Sequence, residues 1–159
     1  IKQIIFSAAV SSEAYAIKRV SFFSGKKIRY GDWSADKVVR LFRRLATIRF
    51  TPSMVHEHLI GYQRLATLKQ VIFHNTMKDM SQVLMKLESY SSYGAQLAYQ
   101  QHKKSSLLKA IGHSFWCFIR GYLLRLGFLD GREGFILAIS NALGVFYRYV
   151  KLIYLYELG

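Results

Sequence analysis

Gly31-Asp-Trp-Ser-Ala-Asp-Lys-Val-Val-Arg-Leu-Phe-Arg-Arg44 is the stretch on which the reading of this chain turns. Charged and aromatic residues recur in it where a plain core strand or helix would be apolar. Val55-His56-Glu57 and Phe73-His74 follow with the same mixture. Within the stretch, Gly31–Ala35 reads as a loop and Lys37–Phe42 as a buried strand with flanking charge.

Upstream, residues 1–14 read as the end of a helix broken at Ser11 and Ser12. Residues 15–23 alternate and carry the β-formers Tyr15, Ile17, Val20, Phe22 and Phe23, which predicts a strand. Ser24-Gly25-Lys26-Lys27 is a turn signal, with a short returning strand over Lys27–Tyr30. Downstream, Ile48–Phe50 and His58–Ile60 are expected as short strands around Thr51-Pro52-Ser53, and Leu68–His74 as another strand. The pattern changes near Thr76. Met77, Met80, Val83, Leu84, Leu87 and Tyr90 recur at helical spacing. A polar break at Gln100–Ser106 separates this helix from a second over Leu107–Phe128. A third follows over Arg132–Tyr156, across a hinge in which Gly127, Gly131 and Gly134 can end a helix or take positive φ. The expected fold is α/β over residues 1–76, then helical over residues 77–159.

The chain has 159 residues, about one domain's worth. Hydrophobic content of 52% against 20% charged supports a packed core and argues against global disorder. Lys and Arg number 23 against 9 Asp and Glu, a net charge of +14. That field suits nucleic acid, an anionic membrane surface or a phosphorylated substrate. An aromatic content of 15% beside this charge favours the membrane interface. The single cysteine, Cys117, sits among aromatic and aliphatic residues and reads as a buried, inert thiol; it excludes an intrachain disulfide and a cysteine zinc site. The uncharged run Phe135–Tyr147 is shorter than the roughly 20 residues a span requires. The late helices are therefore expected to pack on the domain or to lie in the headgroup plane.

Several residues could carry chemistry. Glu57, between His56 and His58, is either a general base or an ordinary loop carboxylate. His56-Glu57-His58 is not the spacing of a zinc hydrolase, and His74 reads as a structural histidine, a metal ligand or a phosphate contact. Arg40, Arg43 and Arg44 can pair phosphates or form a solvated rim. Trp33 between Asp32 and Asp36 can stack on a sugar while the carboxylates accept from its hydroxyls. No phosphate-binding glycine loop, Gly-x-Ser-x-Gly or Asp-x-Asp occurs.

Taken in order, Tyr15–Arg19, Gly25–Trp33, Asp36–Arg44, Val55–Glu57, Ile72–His74, Lys86–Tyr90, Phe118–Tyr122 and Gly127–Gly134 resemble successive blocks of a family 2 glycosyltransferase, of the lipopolysaccharide core glucosyltransferase type. The resemblance implies the acceptor-side half of a GT-A fold with C-terminal helices. It implies hexose transfer from a nucleotide sugar donor to a lipopolysaccharide core or related glycan acceptor. It assigns Glu57 as general base, places Asp32, Trp33, Arg40, Arg43 and His56 on the acceptor side, and puts His74 near the metal or diphosphate. A divalent metal, Mg or Mn, is expected, ligated mostly by an Asp-x-Asp motif and donor strands that would precede Ile1. The expected location is the cytoplasmic face of the bacterial inner membrane, attached peripherally to its anionic surface, with no nucleic acid partner.

The rival reading is a non-enzymatic basic module that binds membrane or RNA. In it Phe22, Phe23 and Tyr30 would stack bases beside Lys26, Lys27 and Arg29.

Overall fold

The computed structural model describes residues 12–34, 36–51, 58–77 and 79–158. A strand-rich region is followed by a helical one, as the sequence predicts. The chain forms two compact units: one comprises Ile1–Val20 with Asp36–Phe73, the other Ser21–Ala35 with His74–Gly159.

The first unit is built on β1 (Ala14–Phe23), whose Ala14, Tyr15, Ala16, Ile17 and Val20 are buried. These are small, aromatic or β-branched residues, the kinds that pack on a pleated surface. β1 pairs antiparallel with β3 (Asp36–Phe42) and also pairs with β6 (Leu65–Met77). Tyr15 lies opposite Leu41 and Ala16 opposite Val39, so Arg40 is the extra residue of a β-bulge. Contrary to the expectation of a buried strand, β3 is largely accessible: Asp36, Lys37, Arg40 and Phe42 are exposed, and Val38, Val39 and Leu41 half-buried. Its charged residues keep it from burying both faces. The two short strands expected near Pro52 pair antiparallel, as β4 (Arg49–Phe50) and β5 (Leu59–Ile60).

In the second unit, the end of β1 turns back into β2 (Lys26–Lys27). Ser24 and Gly25 both take positive φ, 47° and 80°, the requirement of a two-residue turn matched to strand twist. Gly31–Trp33 forms a 3-10 turn. The helices are α1 (Met80–Gln100), α2 (Leu107–Ile119) and α3 (Arg132–Leu158), and α3 packs against both others. Met77 is the last residue of β6 rather than part of α1. Asp79 starts α1, its carboxylate accepting from the Gln82 N–H at 2.9 Å. Ser106 caps α2 in the same way through the Lys109 N–H. The core joins Phe23, Ile28, Met77, Val83 and Leu137, with Trp33 and Ile136 packed against it. Phe23 is thereby withdrawn from solvent at 4% exposure, so it cannot stack a base as the rival reading requires.

The second helix does not run on to Phe128. After Ile119 the backbone widens into one π turn over Arg120–Leu124, and Leu126 takes a left-handed conformation (φ 58°). A 3-10 turn at Gly127–Asp130 leads into α3. That last helix has 27 residues and, by length and composition, is long and apolar enough to cross a membrane. The uncharged run Phe135–Tyr147 lies within this helix, and Arg148 and Lys151 follow it in the same helix.

Candidate functional site

Two short loops and two helix ends are tied together in the helical unit. The Asp130 side chain is 4% exposed, and its carboxylate accepts from the backbone N–H of Arg29 (3.0 Å to Oδ2) and of Tyr30 (2.8 Å). Lys26 Nζ donates to the Asp130 carbonyl at 2.8 Å and to Glu133 Oε2 at 2.7 Å. The Lys26 ammonium, with help from Glu133's own backbone N–H, pulls the Glu133 carboxyl down to about 2.

Asp32, from the 3-10 turn, receives Arg120 Nη2 at 3.2 Å and also Arg125 Nη1. In a regular α-helix residues five apart diverge by about 140°. The π turn stacks them instead, with the Arg125 N–H reaching the Arg120 carbonyl at 2.9 Å, so both guanidiniums reach one carboxylate.

Three glycines permit the close approach. A Cβ on Gly134 would lie 1.9 Å from the Gly127 carbonyl oxygen, and one on Gly127 would lie 2.6 Å from the Gly121 carbonyl oxygen. On Gly121 it would meet Asp32 Oδ2 at 3.1 Å. Cys117, buried one turn before, has its thiol pushed up by burial and then by the Asp32 charge.

Trp33 lies beside this knot. Its Nε1–H donates to Asn141 Oδ1 at 3.2 Å. The indole also lines a cavity of about 240 Å³ together with Tyr90, Ser91, Ser140, Asn141 and Arg148. The volume lies just under the ~300–1,000 Å³ range of small-molecule sites. An indole beside three hydroxyls and an amide has the chemistry to hold a sugar ring. Behind the cavity, Lys151 Nζ donates to Glu88 Oε2 at 2.6 Å and to Ser91 and Ser92; the Lys151 bond, then that of Ser92, lowers the Glu88 pKa.

The residues singled out from sequence divide as follows. Asp32 and Trp33 belong to the helical unit and are engaged there, Asp32 with two arginines and Trp33 with Asn141. His74, half-buried near the end of β6, belongs to the same unit. Arg40 and Arg43 belong to the other unit: Arg40 is exposed at the bulge, and the Arg43 N–H donates to the Glu13 carbonyl at 2.8 Å just past β3. His56 and Glu57 lie outside the described residues. Among the described residues no three His, Cys, Asp or Glu side chains converge on a possible metal position, so these residues do not by themselves fit a divalent cation. Sequence reasoning did not connect Arg120, Arg125, Asp130 and Asn141 to the Gly31–Trp33 turn. The available signal was the recurrence of glycine at positions 121, 127 and 134.

Comparison with known proteins adds a relationship. An uncharacterized glycosyltransferase of Rickettsia prowazekii is 26% identical over 147 residues, covering 87% of this chain and 50% of that protein. One of Rickettsia typhi is 25% identical over 147 residues, with the same coverage of 87% and 50%. One of Rickettsia bellii is 27% identical over 89 residues, 56% of this chain. The chain spans about half the length of the first two relatives. No family model and no solved structure matches. The likenesses support a relationship to glycosyltransferases.

Proposed function

We propose that this chain is the acceptor-side part of a family 2 glycosyltransferase that moves a hexose from a nucleotide sugar to a lipopolysaccharide core or related glycan. The observation that carries the reading is the likeness to named glycosyltransferases over 147 residues, long enough to take in both the strand-rich and the helical regions. The order of sequence blocks from Tyr15 to Gly134 supports it further.

In this reading Glu57 takes the proton from the acceptor hydroxyl as its oxygen bonds to the anomeric carbon. The bond from that carbon to the diphosphate oxygen breaks, and the diphosphate leaves with the electron pair. Arg40 and Arg43 of the strand-rich unit, with His56, are assigned to anionic groups of the acceptor. Trp33 and Asp32 of the helical unit are assigned to a sugar, the ring stacking on its face and the carboxylate accepting from its hydroxyls. His74 contacts the metal or diphosphate. The divalent metal of the whole enzyme, Mg or Mn, would be held mainly by residues outside this chain, and no step is assigned to it.

The net charge of +14 and the exposed Leu108, Ile111, Phe115 and Trp116 of α2 support peripheral attachment to an anionic membrane surface, at the cytoplasmic face of the inner membrane. Such attachment weakens with salt. Persistence in high salt with release by detergent would instead indicate apolar insertion.

The test is Glu57→Gln in the gene product that carries these residues. Transfer to the glycan acceptor should vanish while nucleotide sugar binding persists. Retained turnover removes Glu57 as the base.

A further inference from the structure

A cavity of about 520 Å³, separate from the Trp33 cavity in most of its lining, opens among the three helices of the helical unit. Lys103 and Lys104 enter it from the α1–α2 loop, Lys109 and His113 from α2, and Arg148 from α3, with Gln101 beside them. Among the described residues, no Asp or Glu lines it. Among the described residues, no ion pair engages Lys103, Lys104 or Lys109. Cations gathered without a counter-charge repel one another, and that cost is relieved only by water, salt or an anionic ligand.

The back of the cavity is built rather than incidental. The His113 ring lies parallel to that of Tyr149, with centroids 4.8 Å apart and an interplanar angle of 4°. The Arg148 guanidinium carbon is 4.8 Å from the centroid of the same Tyr149 ring. Arg148 reaches this position across α1 at Gly94, where a Cβ would lie 2.7 Å from Arg148 Cδ. Lys109 stands in the first turn of α2, whose positive end adds to the field.

We propose that this cavity binds a phosphate group, as a phosphate monoester or diphosphate. Compact ammonium groups act as point charges toward phosphate, and a planar guanidinium adds two parallel donors. A single carboxylate would leave most of these donors unused. The chemistry is shared by a free diphosphate and by the headgroup of a phosphorylated amphiphile, whose chains could rest on the exposed Leu107, Leu108 and Ile111 of the adjoining helix. The inference stands whether or not the chain acts in glycosyl transfer.

The experiment uses two triple variants with equal loss of charge. One is Lys103→Gln/Lys104→Gln/Lys109→Gln. The other, Lys18→Gln/Lys37→Gln/Lys69→Gln, changes exposed lysines of the strand-rich unit. Binding of inorganic pyrophosphate is measured by calorimetry, and binding of phosphatidylcholine vesicles with and without phosphatidic acid by co-sedimentation, all at one ionic strength. The cavity variant should lose at least about tenfold in affinity, and the control less than about twofold. Saturable pyrophosphate binding that competes with the vesicles identifies a free phosphate as sufficient. Phosphatidic acid-dependent vesicle binding that pyrophosphate does not displace identifies the amphiphile as source. Equal losses in the two variants, or no saturable binding of either probe, overturns the proposal.

Discussion

Replacing Asp130 should loosen the helical unit far more than replacing an exposed carboxylate that pairs with an arginine side chain loosens the fold. Its carboxylate holds two backbone N–H groups, of Arg29 and Tyr30, in a setting only 4% exposed. A hydrogen bond to a charged acceptor contributes about 1.5–3 kcal/mol, so Asp130→Ala forfeits ~3–6 kcal/mol. A domain's whole stability is only ~5–15 kcal/mol, and that variant is expected to hold the turn poorly. Asp130→Asn is the informative change. It keeps an oxygen where both N–H groups reach Oδ2, but makes that acceptor neutral and puts an NH2 where the Arg29 N–H also reaches Oδ1. At about 1–1.5 kcal/mol between a charged and a neutral acceptor for each bond, the loss is about 2–3 kcal/mol. The comparison is Asp36→Asn, whose side chain is 48% exposed and pairs with Arg19. Such exposed pairs contribute only ~0–1 kcal/mol. Urea unfolding followed by tryptophan fluorescence and far-ultraviolet circular dichroism would give both values. An Asp130→Asn variant within about 0.5 kcal/mol of the parent, or indistinguishable from Asp36→Asn, refutes the reasoning.

Gly134→Ala places a Cβ 1.9 Å from the Gly127 carbonyl oxygen, so the start of α3 must shift. Overpacking of this kind costs ~1–3 kcal/mol or more, and an unchanged melting temperature would show that the knot yields freely. Glu133, with its pKa lowered to about 2 from 4.5, stabilises the fold fully above about pH 4.5 and loses that contribution as the pH falls toward 2. The melting temperature of Glu133→Gln should therefore lie below the parent's near neutrality and converge with it near pH 2; a gap that widens on acidification contradicts this sign. Cys117, at 7% exposure and with its thiol pKa raised by burial, should resist iodoacetamide in the native protein and react on denaturation. Rapid stoichiometric labelling of the native fold would contradict it.

Alternation of β-formers over 15–23, the Ser24-Gly25 turn and the helical spacing from Met80 onward were legible because each is local. Strand β1, the tight turn and the three helices follow from them. The exposure of β3 was not legible, because Val-Val between charges suits either a buried strand or a half-covered one, and neighbouring chain decides which. The end of the second helix was hidden for a different reason. Arg120-Gly-Tyr-Leu-Leu-Arg125 carries a helical pattern, and the π turn arises from Asp32, far away in sequence, drawing in both arginines. The same distance concealed the roles of Asp130 and Asn141, whose partners lie about a hundred residues earlier. Trp33 and Asp32 stand out by their adjacency in sequence, an aromatic ring beside a carboxylate, and the structure adds which groups hold them.

The most direct test of the account is transfer itself. The gene product carrying these residues would be incubated with radiolabelled nucleotide hexoses and core-truncated lipopolysaccharide. The account predicts label in the glycan fraction from one donor, lost with Glu57→Gln. Absence of both transfer and nucleotide sugar binding across the donor panel would contradict it.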